Sequence, residues 1–226
     1  SSHGFVEGLC GPAEGLRFWS YWTGCGLDET AAAPVPPERL AQRVRYFRKV
    51  IGSLATRERP MIAGYLGHML MTEQLRDWFP EAVFLRLHRD PLSNAASIFR
   101  SRQAGSGAWF SVLPAECKAV RGQGLYKEVV AQVYWLNRRL DWLGGDERTI
   151  HVNYEILTED PNGAVQEVID GANALGFDLS ARKALPLSFS YRVASPDEDG
   201  DTMRLRQELE QLEAAHGKLT RGGERF

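Results

Sequence analysis

The order of elements readable in the sequence predicts an α/β domain of three layers, a parallel sheet flanked by helices. Three observations carry that prediction. The apolar run Ala82-Val83-Phe84-Leu85-Arg86-Leu87-His88 has the length and composition of a strand in the interior of a sheet. It passes through Asp90-Pro91 into a helical pattern, and a second strand-like run, Thr149 to Tyr154, leads through Asp160-Pro161 into another. The resulting order of strand, helix, helix, strand, helix requires parallel strands joined by crossovers.

Taken from the beginning, Ser1 to Trp22 is rich in glycine and aromatics, and Gly4, Gly8, Gly11 and Gly15 interrupt any long helical pattern, so loop with short helical turns is expected. Ala31 to Pro37 is a proline-rich connector. Beyond it Leu40, Val44, Phe47, Ile51 and Leu54 recur at four- and three-residue steps, the stripe of an amphipathic helix. Arg43, Arg45, Arg48 and Lys49 lie largely off that stripe and read as a solvated face. Met61-Ile62-Ala63 reads as a short strand, and a helix is expected from His68 to Trp78, ending at Phe79-Pro80. After the first long strand Asp90 can cap a helix with Pro91 at its first position, where a missing N–H costs nothing. That helix reaches about Arg102, and Gly105-Ser106-Gly107 opens a loop carrying Trp109 and Phe110. Helices are further expected from Leu125 to Leu143, Pro161 to Leu175 and Met203 to Ala215.

The 226 residues suit a single domain spanning 1–226, with 43% hydrophobic and 25% charged side chains. Disorder, collagen-like fibre and a disulfide miniprotein are excluded by that composition. With 27 basic and 29 acidic residues the net charge is −2, which argues against a nucleic-acid partner. Cys10, Cys25 and Cys117 have neither an even count nor a metal spacing, so no metal and no disulfide framework are expected. No apolar run approaches the ~20 residues of a membrane span. Ser1-Ser2-His3-Gly4 has neither a basic leader nor a signal-type apolar core, so a soluble, cytoplasmic protein is expected.

In open parallel sheets ligands bind beyond the carboxyl ends of the strands. Arg89 stands at such a point, between an apolar strand and a capped helix, and its planar fork of donors suits phosphate or carboxylate. Ser93 and Ser97, four residues apart, share one face of that helix and can add hydroxyl donors to the same anion. The alternative is an arginine paired with Asp90 or Glu81. Arg86, Arg89, Arg100 and Arg102, within seventeen residues, form a local cationic cluster in the sequence that the net charge conceals.

The segment Phe84 to Ser97, Phe-Leu-Arg-Leu-His-Arg-Asp-Pro-Leu-Ser-Asn-Ala-Ala-Ser, resembles the 3′-phosphate-binding segment of sulfotransferases that use 3′-phosphoadenosine-5′-phosphosulfate (PAPS). Around it Leu75, Trp78, Phe79, Pro80 and Ala82 resemble that family's helix and Phe-Pro-x-Ala turn. Val152-Asn153-Tyr154-Glu155-Ile156-Leu157 with Asp160-Pro161, and Ala174-Leu175-Gly176-Phe177, resemble two of its later elements. The likeness spans about residues 61–178. It implies a P-loop-like α/β sheet and sulfuryl transfer, without a metal, to a hydroxyl or amine of a small-molecule, lipid or glycan acceptor. It further implies that Arg89 and Ser97 hold the 3′-phosphate and that Tyr154 lines the nucleotide pocket. For Tyr154 the competing reading is a strand residue with its ring in the core.

Two departures stand beside these matches. The family's phosphosulfate loop, roughly Pro-(Lys/Arg)-Ser-Gly-(Thr/Ser)-(Thr/Ser), does not occur in the sequence, and with the first strand it is expected upstream of Ser1 or lost. Gly64 stands where relatives often carry lysine. The catalytic base that the likeness implies falls in the N-terminal segment, on Glu14, which precedes Phe18-Trp19, with Glu7 next. His88 is expected to be packed or on the cofactor side rather than to act as the base. The alternative function is a non-catalytic nucleotide- or glycan-binding relative.

Overall fold

The computed structural model describes residues 15–29, 36–105, 109, 111–189 and 200–219. Of the loop with short helical turns expected near the beginning, the described part is one short helix, α1 (Leu16–Thr23). The reason is aromatic packing. Trp19 and Trp22, three residues apart, share a side and both meet Phe47, with ring centroids at 5.3 and 5.7 Å. Gly24 ends the helix at φ 73°, its N–H donating to the Ser20 carbonyl at 2.9 Å.

α2 (Pro37–Leu54) starts on a proline at its first position and turns Phe47 fully into the aromatic cluster, while Leu54 stays 62% exposed. Met61-Ile62-Ala63 forms no strand, correcting that expectation. The three residues are exposed, Ile62 by 82%, and no ladder partner holds them among the described residues. The helix expected from His68 is divided into a 3₁₀ turn, Leu66–Leu70, and α3 (Thr72–Trp78), with a break at Met71.

β1 (Phe84–His88) leads into α4 (Pro91–Ala104), and a 3₁₀ turn at Ala115–Val120 precedes α5 (Leu125–Arg139). The expected helix to Leu143 ends instead at Arg139 and resumes as a 3₁₀ turn, Asp141–Gly145. β2 (Thr149–Asn153), α6 (Tyr154–Glu159), α7 (Pro161–Ala174) and α8 (Gly200–His216) complete the order. Tyr154 therefore opens a helix rather than ending a strand. The main core lies between helices, where Ala95 and Phe99 of α4, Val129, Val133 and Tyr134 of α5, and Leu205 and Leu209 of α8 pack together.

The described sheet has two strands, parallel, with Phe84 opposite Thr149 and His88 opposite Asn153. The class is α/β, as predicted. α7 crosses β2 closely, since a Cβ on Gly171 would stand 3.1 Å from Ile150 Cδ1. β1 departs from the expectation of a strand buried on both sides. Leu85 and Leu87 are each 51% exposed, whereas Arg86 and His88 are the buried positions.

Candidate functional site

Parallel register sets the geometry of the strand ends. His88 pairs with Asn153, so the next residues, Arg89 and Tyr154, emerge side by side at the carboxyl edge. The Arg89 guanidinium lies over the Tyr154 ring, 4.7 Å from its centroid. Two helices open at this edge. Asp90 caps α4 by accepting from the Ser93 N–H at 2.7 Å, and Asn153 caps α6 by accepting from the Ile156 N–H at 2.9 Å. The Asp90 N–H donates to Glu155 Oε1 at 3.5 Å, which ties the two turns together. Replacing Asp90 by alanine should cost about 1 kcal/mol and lower Tm by about 2–4 °C, with Asp90→Asn close to the parent in the same thermal melt.

Neither sequence-level partner of Arg89 is available to it. The Asp90 carboxylate serves the cap, and Glu81 pairs with Arg48 at 3.4 Å. Among the described residues no carboxylate forms an ion pair with Arg89, which is half-buried. A cation fixed on an aromatic face beside two helix N-termini has its donors ready for an anion. Ser97 is half-buried on the second turn of α4, and its carbonyl accepts from the Ser101 hydroxyl at 3.0 Å.

The cationic cluster read from the sequence is not gathered at this edge. Arg86 turns into the protein, donating to the Leu140 carbonyl at 2.5 Å and pairing with Asp141 at 3.3 Å. Arg102 is buried against Glu128 and Trp109, and Arg100 is exposed. His88 is packed, with Nε2 2.7 Å from His151 Nδ1. Burial first, then the charges of Arg86 and His151, push its pKa down to about 4, so it is neutral at pH 7. Burial likewise pushes the Cys25 thiol up to about 11 and the Cys117 thiol up to about 12, which leaves neither a thiolate nucleophile at neutral pH. Gly64 has open space above its Cα. Glu7 and Glu14 lie outside the described residues.

Residues 28–175 match the profile of the sulfotransferase family, about two-thirds of the chain, including both strands and α2 to α7. The chain belongs to the sulfotransferase family. The general chemistry of this sulfotransferase is therefore transfer of a sulfuryl group from a donor to an acceptor. Arg89, Ser97 and Tyr154 fall inside the matched stretch, and Glu7 and Glu14 precede it. No curated protein and no solved structure matches the chain. No helix among the described residues is long and apolar enough to cross a membrane.

Asn153 and Glu155 were missed by the sequence reading. Asn153, three residues before Ile156 at a strand end, carried a readable cap signal. The reach of Glu155 to the Asp90 N–H depends on strand register and had no local signal.

Proposed function

We propose that this sulfotransferase takes its sulfuryl group from PAPS and passes it to a hydroxyl or amine of a small-molecule, lipid or glycan acceptor. In this reading the chain is one domain of the three-layer, P-loop-like sulfotransferase type. The observation that carries it is the Arg89 guanidinium, held on the Tyr154 ring at the joint carboxyl ends of β1 and β2 and paired with no described carboxylate. Arg89 and Ser97 hold the 3′-phosphate, and Tyr154 forms a wall of the nucleotide pocket. The acceptor oxygen or nitrogen forms a bond to sulfur as the bond from sulfur to the 5′-phosphate oxygen breaks. The acceptor proton passes to Glu14, or failing that Glu7, and adenosine 3′,5′-bisphosphate leaves.

Calorimetry with adenosine 3′,5′-bisphosphate and 5′-AMP tests the donor assignment. The bisphosphate should bind the parent protein more tightly. Arg89→Ala should weaken the bisphosphate by about 1.5–3 kcal/mol, roughly ten- to 150-fold, and leave 5′-AMP and thermal stability nearly unchanged. Equal loss for both nucleotides would remove Arg89 from the 3′-phosphate. A retained bisphosphate preference with no labelled sulfate reaching a broad acceptor panel would identify a binding relative instead of an enzyme.

A further inference from the structure

α2 carries five cations, Arg39, Arg43, Arg45, Arg48 and Lys49, against the single carboxylate of Glu38. Two rows of this helix, together with Trp78, line an open surface groove of about 740 Å³. Positions 40, 44 and 48 form one row and 41, 45 and 49 the other, each at four-residue steps. The groove therefore changes character along its length. Leu40, Ala41 and Val44 make one end apolar, and Arg45, Arg48 and Lys49 make the next turn cationic. From residue 40 to residue 49 the helix rises roughly 14 Å.

Two of the three cations of this groove, Arg45 and Lys49, have no carboxylate partner among the described residues. Arg48 donates to the Trp78 carbonyl and pairs only loosely, at 3.4 Å, with the exposed Glu81, which ties it to the Trp78 side of the groove. A solvated face would account for the charges alone. It does not account for an apolar trough of ligand-pocket size that ends among them.

We propose that this groove binds an anionic amphiphile, an alkyl chain carrying one anionic head group. The chain lies over Leu40, Ala41 and Val44 against Trp78, and the head meets Arg45 and Lys49. The groove is separate from the edge that holds Arg89. Trp78 precedes the turn into the amino end of β1, whereas Arg89 follows its carboxyl end, a strand length of roughly 16 Å away. The assignment does not depend on the sulfuryl donor.

The experiment uses decanoate and decanol below their aggregation limits, followed by calorimetry and by the Trp78 indole signal, assigned with Trp78→Phe. Decanoate should bind at least about tenfold more tightly than decanol and shift that signal. The double change Arg45→Glu and Lys49→Glu, both at exposed positions, should abolish the preference for decanoate while decanol binding persists. Ala41→Trp should fill the trough and remove both. Equal affinity for the two probes overturns the proposal, as does undiminished binding in every variant. It is also overturned if the protein sediments with anionic phospholipid vesicles yet fails to bind monomeric decanoate, because a bilayer surface would then be the partner.

Discussion

Replacing Arg102 with methionine is expected to destabilise the protein by about 3–5 kcal/mol, the largest loss predicted for any single polar side chain. The Arg102 side chain is 2% exposed and that of Glu128 10%, and the two are ion-paired. Glu128 also accepts from the Gly122 N–H at 2.7 Å, and Arg102 lies 4.5 Å from the centre of the Trp109 ring. One pair thus joins the end of α4, the start of α5 and the turn before it. Removing the guanidinium leaves a buried carboxylate without its cation, and desolvation makes that far costlier than the loss of a surface pair. The companion change Glu128→Leu should recover most of the loss, because an apolar pair of similar volume carries no charge to desolvate and water can reach the exposed Gly122 N–H. Urea unfolding of both single variants and the double variant measures the coupling. Additive losses would show that the two charges are independently solvated and not a buried pair.

This pair also marks where the sequence stops being readable. β1, α4 and α7 were legible because each has a local cause: an apolar run, and Asp-Pro placing a cap and a first-turn proline at Asp90-Pro91 and Asp160-Pro161. The stripe Leu40 to Ile51 revealed α2 for the same kind of reason. Arg86 and Arg102 read in the sequence as members of one local cationic cluster because their partners, Asp141 and Glu128, stand 55 and 26 residues away. No spacing rule encodes such a pairing, and an arginine in a strand or helix looks the same whether its charge is spent inside or offered outside. Arg89 was legible as a candidate because its role follows from position, immediately beyond a strand and before a cap. Its stacking on Tyr154 needed the register of β1 against β2. Met61-Ile62-Ala63 shows the converse error. Its strand-like composition acts only where another strand offers a ladder, and none does among the described residues.

Acidification should destabilise the protein well before its carboxylates titrate. His68 and His88 are both held at a pKa of about 4, His68 by burial and His88 by burial together with the neighbouring charges of Arg86 and His151. His68 sits edge-on to Trp19 at 4.2 Å and to Tyr65 at 5.2 Å, an apolar setting that penalises an imidazolium. Well above pH 6.5 both rings are neutral in the folded and unfolded chains, and neither affects the balance. As pH falls from 6.5 towards 4 the unfolded chain takes up a proton at each ring and the folded chain does not, so stability falls. By pH 5 the loss is on the order of 2 kcal/mol for His68, and His88, coupled to His151, adds a further loss in the same direction. Below about pH 4 the folded rings protonate too, and their contribution levels off. Urea midpoints at pH 7, 6 and 5 measure the slope. His68→Leu should flatten it by about half, since the substituted side chain has nothing to protonate and keeps an apolar contact with Trp19. A curve already flat between pH 7 and 5 would mean that both imidazoles reach water in the folded protein.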